Sequence, residues 1–352
     1  MSKLDRYVGV TVLVAMLAVL AIIFALDTLF GFMAQLDAMR ANYQLLQVTQ
    51  YMLLTAPRRL YEIIPVAALI GCLIGLGSLA NHSELVVMRA AGVSLVRIGW
   101  TVMKPALVLV LLGLVLNEFV APATEQMAQS IKRVGRSADG QFTDEGLWHR
   151  EGNSYVYFNA VNQNGTLHGV NIYLFDDQHR IRESVYAEQA VNKDDQWLLA
   201  NVKTSTYTEN KVTSVAESSK EWETDLTPSL LRVVVAKPDD LSIRGLSTYI
   251  DYLKKQDLET GEYRLAFYKK LMQPVAIFAL VLIGMSFVFG PLRSVSMGLR
   301  LFSGVITGVT FMILQNLVGP ASIVFGFPPL LAVMLPILIC FAIGIILLKR
   351  AG

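Results

Sequence analysis

The sequence predicts an α-helical integral membrane protein with six transmembrane helices plus an all-β, jelly-roll-like domain outside the membrane. Three observations carry that prediction. Two strongly apolar blocks, residues 8–120 and 271–348, flank a polar stretch of about 150 residues with no spanning segment of its own. The composition is 54% hydrophobic and only 16% charged, with a mean hydropathy of +0.49, where a soluble domain carries roughly 25% charged residues. The intervening stretch is built of short runs rich in Val, Tyr, Phe and Ile.

The first element is the apolar run Val8 to Phe32, preceded by Lys3 and Arg6. A cleaved signal peptide has an h-region of about 7 to 15 residues, and this run exceeds it, so it reads as an uncleaved anchor and first span. The other spans are expected at Leu60 to Ala80, Ile98 to Val120, Leu271 to Phe289, Leu299 to Leu317 and Leu330 to Leu348. Each approaches the roughly 20 residues that cross a 30 Å hydrocarbon core as a helix, the form in which backbone groups pair within their own segment. Lys3, Arg6, Arg89, Arg97, Lys104, Arg293, Arg300, Lys349 and Arg350 all fall on one side of this arrangement. By the positive-inside rule both termini are expected in the cytoplasm and the large domain in the periplasm of a bacterial inner membrane. The expected division is 1–135 for the first three spans, 136–243 for the β domain and 244–352 for a connecting helix and the last three spans.

Strands are expected at Asn153 to Val161, Val170 to Asp176, Ser184 to Val191, Gln196 to Val202 and Leu231 to Ala236, separated by Asn-Gly and Asp-Asp turns. Their near-regular spacing suggests a sandwich or jelly roll. Ser242 to Gln256 turns helical, with Leu246, Ile250 and Leu253 on one face.

The search for reaction chemistry is largely negative. The chain contains no Gly-Lys dipeptide, so it has no phosphate-cradling Walker A loop and is not expected to hydrolyse ATP itself. It also lacks a His-Glu-x-x-His zinc motif, a Gly-x-Ser-x-Gly elbow and a Cys-x-x-Cys pair. A formal net charge of +2 and the absence of a basic block argue against a nucleic-acid partner. Cys72 and Cys340 lie inside apolar runs and read as packing residues, and the four scattered histidines do not suggest a metal site. Asp27, Asn117 and Glu118 fall near outer span ends, where boundary placement is cheap. Gly71-x-x-x-Gly75 and Gly304-x-x-x-Gly308 permit close helix approach.

The loop Asn81 to Arg97, NHSELVVMRAAGVSLVR, predicts a short helix near 83–92. Ser83 is a candidate cap, Glu84 suits the positive end of the helix dipole, and Gly92 is a stop. Leu85 and Met88 share one side, with Arg89 near the middle. Such a helix is either an ordinary interfacial turn or the coupling element that ABC transporter permeases seat on their ATPase.

LDRYVG at 4–9, GLGSLANHSELVVMRAAGVS at 75–94, EFVAPATEQMA at 118–128, EGLWHREGNSYVY at 145–157 and FVFGPLRSVSMGLR at 287–300 occur in order along the whole chain. Together they resemble the YjgP/YjgQ-type permeases of lipopolysaccharide export, the LptF/LptG family, and its LptG branch more than its LptF branch. That resemblance implies an arrangement of two related six-span permeases, here with an LptF-like sister. A cytoplasmic LptB-like ATPase dimer would use ATP and magnesium, and this chain would bind no cofactor. Lipopolysaccharide would enter from the outer leaflet between first and fifth spans of opposite subunits. It would pass through periplasmic jelly rolls to an LptC-like membrane-anchored protein and an LptA-like bridge.

Carried onto this sequence, the resemblance makes Glu84, Leu85, Met88 and Arg89 the ATPase-coupling residues. Lys132, Arg133, Arg136 and Arg40 become candidates for the anionic head group of the substrate. The lateral gate and cavity draw on Leu29, Phe30, Phe32 and Met33 in the first span and Phe311, Leu314 and Leu317 in the fifth, positions that read equally well as lipid-facing or core. Relatives place lysines just outside the first span, where this chain has Gly31, Asp37 and Ala38. The rival readings are a mechanotransmitting permease that moves no lipid through its own spans and a membrane-bound enzyme acting on a lipid-linked substrate.

Overall fold

The computed structural model describes residues 3–37, 39, 44–137, 147–161, 165–176, 178, 180–193, 196–208, 211–224, 226, 237–256, 258–290 and 295–351, with the side chains of 133–137, 147, 160, 161 and 351 left aside. Six helices are long and apolar enough to span a membrane. They are α1 (Lys3–Leu36), α2 (Leu45–Asn81), α4 (Leu95–Val115) with its continuation, α7 (Gly261–Phe289), α8 (Met297–Phe325) and α9 (Pro329–Ala351). A short helix α3 (Glu84–Ala90) joins α2 to α4. A π-helical turn, Leu116–Val120, joins α4 to α5 (Ala121–Ser137).

Several helices are longer than the apolar runs foretold. At about 1.5 Å per residue, the 37 residues of α2 extend about 55 Å, well beyond the hydrocarbon core. Its first turns are amphipathic rather than apolar. Val48, Tyr51, Met52 and Thr55 are buried on one face, and Phe32 of α1 and Ala128 of α5 pack against that face. Arg58 and Arg59, expected in a loop, therefore belong to the body of α2. The spacing of small residues is used as expected. A Cβ on Gly75 would sit 2.8 Å from the Cα of Val12, and one on Gly308 would sit 3.1 Å from Val66. α1 and α8 thus lie close against α2, the most covered of the spans.

The two ends of the bundle are pinned by different polar contacts. At the end carrying the N-terminus, Asp5 pairs with Arg97 at 3.2 Å. There Arg300, 2% exposed, donates to the Gly77 carbonyl and to Asn81 Oδ1 at 3.2 and 3.0 Å, satisfying acceptors at the C-terminus of α2. At the opposite end Asp27 pairs with Arg59 at 3.0 Å. The β domain grows from that opposite end.

Among the described residues that domain is a six-stranded antiparallel sheet in which every strand pairs with its sequence neighbours. The strands are β1 (Leu147–Glu151), β2 (Ser154–Val161), β3 (Leu167–Phe175), β4 (Ile181–Lys193), β5 (Gln196–Thr208) and β6 (Lys211–Trp222). Four of the expected strands are present, β4 and β5 with longer bounds, β3 starting earlier and β2 one residue shorter, and the fifth, Leu231 to Ala236, lies outside the described residues. β1 and β6 were not foreseen. β6 is exposed along nearly its whole length, so its sequence, KVTSVAESSKEW, shows no alternation to read. Gly169 of β3 (φ +60) and Asn201 of β5 (φ +53) occupy the left-handed region on one line across the sheet, opposite Glu188 of β4, whose side chain accepts from Asn201 Nδ2 at 2.6 Å.

One face of the sheet buries Val156, Phe158, Val170, Ile172, Val185, Ala187, Trp197 and Leu199. The helix α6 (Ile243–Lys255), capped by Ser242 Oγ accepting from Gly245 N at 3.0 Å, closes this core with Tyr249 and Leu253. It turns Leu246 towards α7 instead. α6 is therefore the wedge through which the β domain rests on the membrane bundle.

His149 of β1 stands in that wedge, with Nε2 3.1 Å from the Tyr252 hydroxyl and its ring stacked on Tyr252. Burial lowers its pKa below the usual 6.5, with Glu151 opposing. A depressed imidazole binds fewer protons folded than unfolded, so its contribution to stability is present above pH 6.5 and is lost as pH falls towards the folded value. Thermal unfolding in detergent is expected to show a lower Tm at pH 5.5 than at pH 7.5. His149→Gln should flatten that dependence, and an unchanged slope in the variant would exonerate His149.

Candidate functional site

At the end of the bundle away from the N-terminus, α2, α5 and α7 converge on the short 3-10 turn Pro238–Asp240 that leads into α6. Arg58 of α2 is the hub. It pairs with Asp240, with Glu62 at 3.0 Å and, at 3.7 Å, with Glu125 of α5, whose side chain is only 3% exposed. Burial pushes the Asp240 carboxyl above its usual range, and Arg58 opposes that shift. Next to this hub Lys270 of α7 donates to Asn117 Oδ1 and to the Leu241 carbonyl, both at 2.7 Å. Asn117 reaches it from the π turn, an irregularity that reorients side chains within an otherwise continuous helix. Glu118, one residue on, accepts from the backbone of Ile243 at 3.0 Å and pairs with Arg244, holding the N-terminus of α6. Asn117 and Glu118 are thus fasteners between span ends and the β-domain wedge, and Asp27 joins the ends of α1 and α2 through Arg59.

At the other end α3 presents the loop segment singled out from sequence. Ser83 does not cap it as expected. It sits in the left-handed region (φ +60) with no side-chain capping bond, so its hydroxyl cannot reach the first turn. Gly92 does end it, at φ +85, where its N–H meets the Arg89 carbonyl at 3.0 Å and Val93 reaches Met88. Leu85 and Met88 are 3% and 7% exposed because they anchor α3 onto its own bundle. The stripe they form is the side that seats α3 on its own bundle. The outward ridge is Val86 and Val87, 51% and 67% exposed, with Glu84 and Arg89 half-buried beside it. Glu84 Oε1 accepts from the Tyr7 hydroxyl of α1 at 3.2 Å.

The remaining expected positions divide. Leu29, Phe30 and Met33 of α1 and Leu317 of α8 are 55–65% exposed apolar side chains. Phe32 instead packs against the amphipathic start of α2, Phe311 is 4% exposed and faces α2 and α7, and Leu314 is half-buried. Phe32 and Phe311 thus pack within the chain. Lys132 lies over the Tyr51 ring, 4.9 Å from its centroid. Arg133 and Arg136 continue α5, with side chains not described, and Arg40 falls outside the described residues. The Arg58 hub and Lys270 escaped the sequence reading. The i, i+3, i+4, i+7 spacing of Val48, Tyr51, Met52 and Thr55 is the signal that places Arg58 in a helix.

Only 17% of the most apolar stretch of α8 and 28% of that of α1 are buried by the rest of the chain, against 72% for α2. Two spans with open apolar faces, a short protruding helix at one end and a β domain clamped to the other define a multi-pass permease subunit. The sequence profile of the family described as lipopolysaccharide export system permease LptF/LptG matches residues 6–350. The chain is 38% identical to the lipopolysaccharide export system permease protein LptG of Escherichia coli K12, over 99% of this chain and 98% of that one. It is 34% identical to LptG of Haemophilus influenzae over 96% of each. The chain belongs to the LptF/LptG family of lipopolysaccharide export permeases.

Proposed function

We propose that this chain is one permease half of an ABC exporter that draws lipopolysaccharide from the outer leaflet of a bacterial inner membrane and passes it towards a periplasmic bridge. The observation that carries this reading is the full-length likeness to permeases of that export system, which extends through both helical blocks and the β domain. On this reading both termini and α3 face the cytoplasm and the β domain faces the periplasm. The excess of Lys and Arg at the α3 end supports that orientation.

The partners on this reading are an LptF-like sister permease, an LptB-like ATPase dimer that uses ATP and magnesium, an LptC-like anchored protein and an LptA-like bridge. The sister would lie against the uncovered faces of α1 and α8, with Leu29, Phe30, Met33 and Leu317 at the opening. Lys132, Arg133, Arg136 and Arg40 stand as head-group contacts, and Arg58 and Lys269 occupy the same outer end. Glu84 and Arg89 would flank the Val86–Val87 ridge where the ATPase docks. The hydrogen bond from Tyr7 to Glu84 then ties that docking site directly to α1, the proposed gate helix, and the pair Asp5–Arg97 ties α1 to the start of α4.

The energetics call for such a device. Exposing acyl chains to water costs about 0.8 kcal/mol per CH₂, which for several chains exceeds any single binding step. An apolar cavity reduces the exposure and repeated ATP-driven closure supplies the remainder. The reading is tested in proteoliposomes holding this chain with the sister permease, the LptC-like protein and the ATPase. ATP-dependent release of lipopolysaccharide to a soluble bridge protein is expected. Vigorous ATP hydrolysis without release would favour a mechanotransmitting permease, and turnover of a lipid-linked substrate without the ATPase would favour an enzyme.

A further inference from the structure

We propose that the cavity enclosed by α2, α7 and α8 at the outer end of the bundle is a binding site for the zwitterionic headgroup of an ordinary bilayer phospholipid. The cavity measures about 300 Å³. Its lining mixes polar side chains, Tyr61, Asn117, Lys269 and Asp239 among them, with the apolar Val66, Phe311 and Met312.

The polar part of the lining is incomplete without a ligand. Asn117 is 1% exposed, and its Oδ1 is taken by Lys270, while its Nδ2 has no hydrogen-bond partner among the described residues. The Tyr61 hydroxyl, on the same cavity, is equally buried and equally without a partner. Buried donors left unmet are rare because their lost hydration is not replaced. Two neutral donors on a cavity that Lys269 and Lys270 also line describe a site for an anionic oxygen group such as a phosphodiester.

The charge pattern then selects among phosphates. Asp239 stands at the same cavity with Lys269 and Lys270, while Arg58 engages both Glu62 and Asp240. Carboxylates next to a lysine repel a doubly anionic lipid A phosphate but complement the ammonium of an ethanolamine headgroup. The apolar part of the lining suits the glycerol and first methylenes of the acyl chains, which free phosphate would leave uncovered. The cavity also lies where α2 passes from its apolar run to Arg58, the depth at which headgroups sit. A lipid held there would rest against Phe311 and so brace α8 from inside the subunit. The inference depends on the membrane-spanning fold and not on which lipid is exported.

The test measures lipid retained by the full chain, purified in mild detergent with the subunits that accompany it, using quantitative mass spectrometry of extracted lipids. Wild type is compared with a Tyr61→Phe, Lys269→Gln double variant. Neither change removes a hydrogen bond shown within the chain, and the Tm of delipidated samples checks that both are folded. An ethanolamine phospholipid is expected to stay with wild type and to fall about tenfold in the variant, the consequence of losing two polar contacts. Asp239→Asn is expected to shift the retained headgroup from ethanolamine towards glycerol. Equal phospholipid in wild type and double variant, a wild type that retains none, or lipopolysaccharide as the species lost from the variant would each overturn the proposal.

Discussion

Gly71→Val is expected to prevent α1 and α2 from packing and to leave little folded protein in detergent. A Cβ at position 71 runs into the backbone of Met16, 2.8 Å from its nitrogen, and one turn on, Gly75 is held as closely against Val12. Backbone atoms in a helix have no rotamer by which to give way, so the two helices must separate along this seam. Overpacking a core ordinarily costs about 1–3 kcal/mol. Here the loss extends to Val12, Met16 and Val19, all buried in the same cluster. Association of helices in a bilayer depends on such close contact, because lipid is as apolar as the side chains that would be exposed. Gly298→Ala is the matched control, since nothing lies within 4 Å of its Cβ position. Fluorescence-detected size exclusion should show a sharp wild-type-like peak for Gly298→Ala and an aggregated or absent one for Gly71→Val. A monodisperse Gly71→Val protein with unchanged Tm would mean that the seam is not a determinant of folding.

The same seam is legible in the sequence as a glycine spacing, though its partner is not. The spans are legible because an apolar run of that length would be insoluble as a surface helix and too long for the core of a small domain. Strands β2 to β5 are legible because their alternation survives burial on one face. What fails to show has specific causes. Leu45 to Arg59 is an amphipathic helix outside the apolar core, and averaging hydropathy along it hides a clear stripe at Val48, Tyr51, Met52 and Thr55. β6 is an edge strand with both faces in solvent, so nothing constrains its pattern. Arg58 and Asp240 are 182 residues apart, and Lys270 and Asn117 are 153 apart, distances over which one sequence carries no pairing signal. In α3 the apolar stripe of Leu85 and Met88 is plain from the spacing, but a stripe marks the side that is buried. In a helix lying on its own bundle that side is the anchor, and the partner surface is what remains.

That reversal makes the second large effect specific. Val87→Glu is expected to reduce ATP-driven lipopolysaccharide release by at least about tenfold while leaving the permease folded with its wild-type Tm. Val87 is 67% exposed and is not a member of the buried cluster that holds α3, so a carboxylate there is hydrated and costs the isolated subunit little. In a docked complex the same carboxylate would sit in an apolar contact without a partner, and about 1.4 kcal/mol of lost interaction already amounts to tenfold. Leu85→Asp should behave differently, since burying a charge at a position 3% exposed detaches α3 and lowers the Tm as well. Glu84→Ala is expected to fall between them. It removes the acceptor for the Tyr7 hydroxyl, so ATPase binding persists while release declines, and Tyr7→Phe should reproduce part of that decline. The readouts are ATPase co-purification and ATP-dependent release measured on the same preparations. Full release by Val87→Glu would remove the Val86–Val87 ridge as the docking surface. Full release by Tyr7→Phe alongside a defective Glu84→Ala would place the action of Glu84 on the ATPase side and not through α1.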